Sequence, residues 1–181
     1  MGTGETQMTT RHFTATAVGL AAAASIAIAT IPGGAFAASG HHHRHHTSGT
    51  VIRTFDTHLL DHANTARTNH STHSYRMSHK LWKVAHNWAL HLAKTGTLEH
   101  NPKLESQISN KCPRWTTIGE NVGVVYGKAT NKQMFKAYMN SPEHRANILD
   151  KHYRQVGIAS VKVIRHHHVQ EWDVMDFGNH C

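Results

Sequence analysis

From residue 78 to residue 96 the apolar positions fall on a single helical stripe. Leu81, Ala85, Trp88 and Leu92 recur every three or four residues, and Trp82, Ala89 and Ala93 widen the face. Ser78 stands where an N-cap belongs and Gly96 where a helix stops, so the segment between them is predicted as an amphipathic helix with its tryptophans in the core. The same spacing in Ile52, Phe55, Leu59, Ala63 and Ala66 predicts an earlier helix, and the polar stretch from Thr68 to Met77 a connection. Gly119 to Gly127, rich in valine, predicts a strand. Asn131 is placed to cap a third helix carrying Met134, Phe135 and Tyr138. Ser141-Pro142 offers an N-cap followed by proline at the first helical position, which puts His144 in the first turn of a short helix ending near Leu149. Val156 to Ile164 and Val169 to Phe177 predict two strands joined by a turn at Arg165 to His168. Their apolar residues occupy both odd and even positions, so both faces of this hairpin are expected to be covered, and the class is α+β.

The first 37 residues stand apart from this pattern. Arg11 and His12 precede an apolar run from Phe13 to Ile31, and Ala35-Phe36-Ala37 has the small-x-small form of a cleavage site, so residues 1–37 are expected to be a signal peptide; the alternative is a retained membrane anchor. No later run reaches the ~18 apolar residues that a membrane span needs. Residues 38–50 are Ser, Gly and His without apolar periodicity and are expected to be a linker, whose His41 to His46 either form a solvated tail or bind metal loosely. Residues 51–181 form one domain with a sizeable core.

Charge and cysteine count narrow the picture. The chain carries a formal charge of +8 and 20 histidines. Outside a cell this favours anionic envelope polymers, or keeps the protein soluble, and the attraction should grow as histidines protonate. The charge comes with no element that reads nucleic-acid bases, so no specific nucleic-acid binding is expected. Cys112 and Cys181 are the two cysteines, and after export they would most simply pair; two free thiols or an intermolecular bridge are the alternatives.

Three polar clusters carry the candidate chemistry: His100-Asn101-Pro102, Gly119 to Gly123 with Glu120 inside it, and Ser141 to Leu149 with Glu143 and His144. Two neutral imidazoles and a carboxylate make a common ligand set for a divalent cation such as zinc, provided that the fold brings the three segments together. Spacing alone matches no zinc signature.

Together with Leu81 to Ala89, Gly96 to Pro102, Val156-Gly157-Ile158 and Trp172 to Gly178, these clusters resemble the CAP superfamily (cysteine-rich secretory, antigen 5 and pathogenesis-related 1 proteins), in its bacterial SCP-like branch, over residues 51–181. The resemblance implies a three-layer α-β-α sandwich around a small antiparallel sheet. It also implies a polar cleft in which His100, Glu120 and His144 hold a divalent cation. The family's further Glu has no match here, since Tyr138 stands near its place, with Glu143 close by in sequence. The leading functional expectation is a secreted, non-catalytic binding module at the cell wall or in the medium, with envelope polymers, lipid or another protein as partner. The competing one is a metal-dependent hydrolase in which Glu143 is the base. Arg145 and Asn147 are expected to bond nearby loops, Asp173 and Asp176 to be strand-edge charges, and His166 to His168 to lie in a solvated turn.

Overall fold

The computed structural model describes residues 6–14, 52–54, 57–127, 130–165 and 168–181. Along them run β1 (Thr6–Thr14), β2 (Ile52–Thr54), α1 (Thr57–Asn69), β3 (Arg76–Met77), α2 (His79–Thr95) and α3 (Leu104–Lys111), followed by β4 (Thr117–Tyr126), α4 (Asn131–Asn140), α5 (Pro142–Leu149), β5 (Gln155–Arg165) and β6 (His168–Gly178). The strands join in the order β1-β4-β6-β5-β2, each neighbour antiparallel, and β3 runs parallel to β5. β6 is therefore central, which is why its sequence lacks the alternation of a half-exposed strand.

Each face of the sheet has its own helical layer. Val122, Val124, Ala159, Val161, Trp172 and Val174 pack under Ala85, Ala89 and Leu92 of α2. The alternate residues Val156, Ile158, Met175 and Phe177 pack against Leu59 and Ala63 of α1, Met134 and Tyr138 of α4, and Ile148 of α5. Leu81 and Val84 meet Leu104 and Ile108, which fastens α3 beside α2. The result is the α-β-α sandwich expected. Gly157 sits at its tightest point: a methyl group there would run into the backbone of Leu81 and Trp82, so only glycine lets α2 lie this close to β5.

Capping explains several boundaries. Ser78 accepts from the Leu81 amide and Gly96 ends α2 with φ 76°, as its sequence implies. At α4 the cap is Thr130, which forms a reciprocal capping box with Gln133, while Asn131 is the first helical residue. Ile52 to Thr54 is not the start of a helix. These residues pair with Ser160 to Lys162 along the edge of β5, and α1 begins at Thr57. α3 has no periodic signature in the sequence, because its buried apolar residues, Leu104 and Ile108, make only one helical repeat.

β1 lies inside the expected signal peptide and pairs residue for residue with β4, Arg11 opposite Glu120 and Thr10 opposite Asn121. The apolar run from residue 15 onward, the Ala35 to Ala37 cleavage site, the His41 to His46 tract and His166-His167 lie outside the described residues. Among the described residues no helix is long and apolar enough to cross a membrane. Cys112 and Cys181 form the expected intramolecular disulfide, their Cα atoms 4.7 Å apart.

Candidate functional site

The loop after α2 is fixed before it reaches the site. Trp88 Nε1 donates to the Glu99 carbonyl at 3.0 Å, and Asn101 Oδ1 accepts from the Lys103 amide at 3.0 Å, which starts the turn into α3. His100 and Asn101 are thereby carried to β4. There Glu120, fully buried, accepts at Oε1 from the Asn101 amide at 3.0 Å and lies 2.6 Å from His100 Nδ1. Its other oxygen, Oε2, and His100 Nε2 have no hydrogen-bond partner among the described residues.

Directly across the sheet from Glu120 stands Asp176. It is fully buried, and both of its carboxylate oxygens lack a donor. Burial pushes its pKa well above the ordinary 3.8, and the neighbouring Glu120 charge adds to the rise. Asp173 is buried too, but satisfied: Tyr138 Oη donates at 2.8 Å to one oxygen and Ser160 Oγ at 2.7 Å to the other. Neither aspartate is a strand-edge charge, because β6 is the middle of the sheet.

His144 belongs to the other face. Asn121, the residue after Glu120, points away from it and donates from Nδ2 to the His144 carbonyl at 3.1 Å, while Asn147 donates to Asn121 Oδ1 at 2.8 Å. The His144 ring is buried, lies 2.7 Å by Nδ1 from Ser141 Oγ and stacks on Tyr138 at 5.3 Å between centroids. Ser141 thus makes a side-chain contact with His144 and no side-chain cap. β4 holds close to α5 because Gly119 leaves room for Tyr153 Oη and Asn147, which a β-carbon would strike.

The structure joins His100 to Glu120, and it carries His144 on α5, whose Ile148 packs in the layer on the opposite face of the sheet. Glu143 is exposed, whereas His144 beside it is buried. Among the described residues no group of three His, Cys, Asp or Glu side chains is arranged to hold a metal ion. Arg145 is exposed and reaches His70 Nε2 at 2.9 Å, whereas Asn147 is part of the buried network.

Asp176 is the residue that sequence reasoning misplaced. A signal was present: an aspartate between Met175 and Phe177, on a strand expected to be covered on both faces, has no solvent to face. Arg67, fully buried in α1, gave no comparable signal. It donates to the carbonyls of His73 at 2.6 Å, Ile148 at 2.8 Å, Asp150 at 2.9 Å and Tyr153 at 2.9 Å, tying α1 to the C-terminal end of α5.

Residues 60–169, which include this histidine and glutamate, match the cysteine-rich secretory protein family. The chain belongs to the CAP family. An outer surface protein of Borrelia burgdorferi has a similar fold (TM-score 0.60, 18% identity, 74% of this chain and 99% of that one). A cysteine-rich secretory protein of Staphylococcus aureus (TM-score 0.50, 20% identity) and an extracellular SCP-domain protein of Bacillus anthracis (TM-score 0.52, 16% identity) each align with 67% of this chain. This CAP chain covers only 36% and 39% of those two. No curated protein sequence matches the chain.

Proposed function

We propose that the protein is a secreted, non-catalytic CAP binding module that works at the cell wall or in the surrounding medium and holds a divalent cation, zinc being the simplest, against Glu120. One observation carries the cation: three buried carboxylate oxygens, Glu120 Oε2 and both of Asp176, have no donor. Such oxygens inside a protein call for a proton or a cation, since an unpaired buried charge costs several kcal/mol. His100 supplies an imidazole on the same face. His144 is the further ligand, and it would reach Glu120 around the edge of β4. β1 extends the sheet along that edge, so removal of Thr6–Thr14 with the signal peptide would clear the path between them.

Export is supported by the signal-like first 37 residues, by the disulfide, and by relatives described as outer-surface, secretory and extracellular proteins. The partners that suit a charge of +8 are anionic envelope polymers, with lipid or protein as other ligands of the same module.

Calorimetric titration with Zn²⁺ of the protein lacking the His41 to His46 tract tests the cation. One site is expected, lost in Glu120→Gln and weakened in His144→Ala. Zinc binding that Glu120→Gln leaves unchanged would refute the assignment. Adhesion to purified cell walls should be stronger at about pH 5.5 than at about pH 7.5, because ordinary histidines titrate near 6.5.

A further inference from the structure

The end of the molecule that carries the disulfide contains a second polar feature, whose lining does not include Glu120. A cavity of about 390 Å³ is lined by Arg76, Lys80, Arg114 and Arg154 together with both disulfide cysteines, and no lining side chain is acidic. A neighbouring cavity of about 600 Å³ shares Arg154, Asn179 and His180 with it and adds Thr116, Thr117, Lys151 and His152. Its one acidic lining residue, Asp150, is turned to the His152 ring and backbone amide at 2.8 Å. Among the described residues, Arg76, Lys80, Arg114 and Arg154 have no ion-pair partner.

The wall of this trough is firmly built. Asn179 accepts from the Thr116 and Thr117 amides at 2.9 and 3.3 Å and donates to Thr116 Oγ1 at 2.6 Å, while Gln155 Oε1 accepts from the Cys181 amide at 2.6 Å. His180 is held with φ 52°, a left-handed backbone rare for a side chain of its size, between Asn179 and the disulfide. A rigid wall lets cations gather without each being ordered anew by a ligand.

We infer that this trough, running from Arg76, Lys80 and Arg114 past Arg154 to Lys151, binds a linear phosphodiester polymer of the polyol-phosphate type. The inference deepens the envelope-binding part of the proposed function and rests on it. Guanidinium groups match phosphate oxygens in bidentate fashion, and two joined cavities suit successive phosphates better than a lone ion. Among the described lining residues there is no Phe, Tyr or Trp on which a base could stack, which sets the preference against single-stranded nucleic acid.

The test is titration of the full secreted protein with poly(glycerol phosphate), inorganic phosphate, polyglutamate and an oligothymidylate of similar charge, at two salt concentrations. The polyol-phosphate polymer should bind best, and Arg76→Gln/Arg114→Gln/Arg154→Gln should weaken it at least about tenfold and flatten its salt dependence. A control with the same loss of charge on exposed helical positions, Lys83→Gln/Lys132→Gln/Lys136→Gln, should change binding by less than about threefold. Equal losses in both variants would overturn the trough while leaving envelope binding in place. Absence of polymer binding by the unaltered protein would remove both. Equal or tighter binding of polyglutamate or oligothymidylate, or a preference for inorganic phosphate, would overturn the ligand class.

Discussion

Replacing Arg67 with methionine separates the value of its hydrogen bonds from the cost of burying its charge. The guanidinium is fully buried, and burial holds its pKa below the usual 12.5. Arg67→Met fills most of the same space but removes donors from four carbonyls. The Ile148 carbonyl keeps the Tyr75 hydroxyl at 3.0 Å, which leaves those of His73, Asp150 and Tyr153 without their side-chain donor. At about 1 to 1.5 kcal/mol each, the loss is about 3 to 5 kcal/mol. The cation stacked 3.7 Å from the Tyr75 ring centre adds about 1 kcal/mol. Relief of the buried charge acts the other way by about 2 kcal/mol. The net expectation is a loss of about 3 kcal/mol, a large share of the ~5 to 15 kcal/mol available to a domain of this size. Urea unfolding followed by tryptophan fluorescence measures it directly. A loss below about 1 kcal/mol would mean that desolvation cancels the carbonyl bonds, and the clamp between α1 and α5 would not be the stabilising element argued here.

Gly157→Ala should cost more than about 3 kcal/mol or prevent folding, because the added methyl meets main chain of α2 and not a side chain that can turn away; a stability within about 1 kcal/mol of the parent in the same urea assay would contradict the packing. Cys112→Ser should lower stability by about 4 kcal/mol in the chain-entropy model for a separation of 69 residues, and non-reducing peptide mapping of the parent should give one Cys112–Cys181 peptide pair. Asp176 should make stability fall as pH rises from about 4. Its raised native pKa means that the folded state keeps a proton which the unfolded state has lost, and stability is fully present only below the unfolded value. Asp176→Asn should remove that slope and raise the thermal midpoint at neutral pH in the presence of a chelator; a parent protein with no such slope would place the carboxylate in contact with a donor or solvent.

Local chemistry, legible in the sequence, controls several parts of this CAP domain. The stripe from Leu81 to Leu92 with its Ser78 and Gly96 ends made α2, Ser141-Pro142 made the start of α5, and apolar residues on both faces of the last two strands required helices above and below them. Ile52 to Thr54 went the other way because strand pairing with β5, a non-local event, outweighed a helical spacing. Tertiary structure alone decided which side chains share a face. Glu120 and Asn121 are adjacent in sequence, yet strand alternation sends one to His100 and Asp176 and the other to His144 and Asn147. It also gathered Arg76, Lys80, Arg114 and Arg154 at one end of the molecule, where sequence showed only a net charge. Composition sums charges, whereas the register of a sheet and the closing of a disulfide decide where they stand.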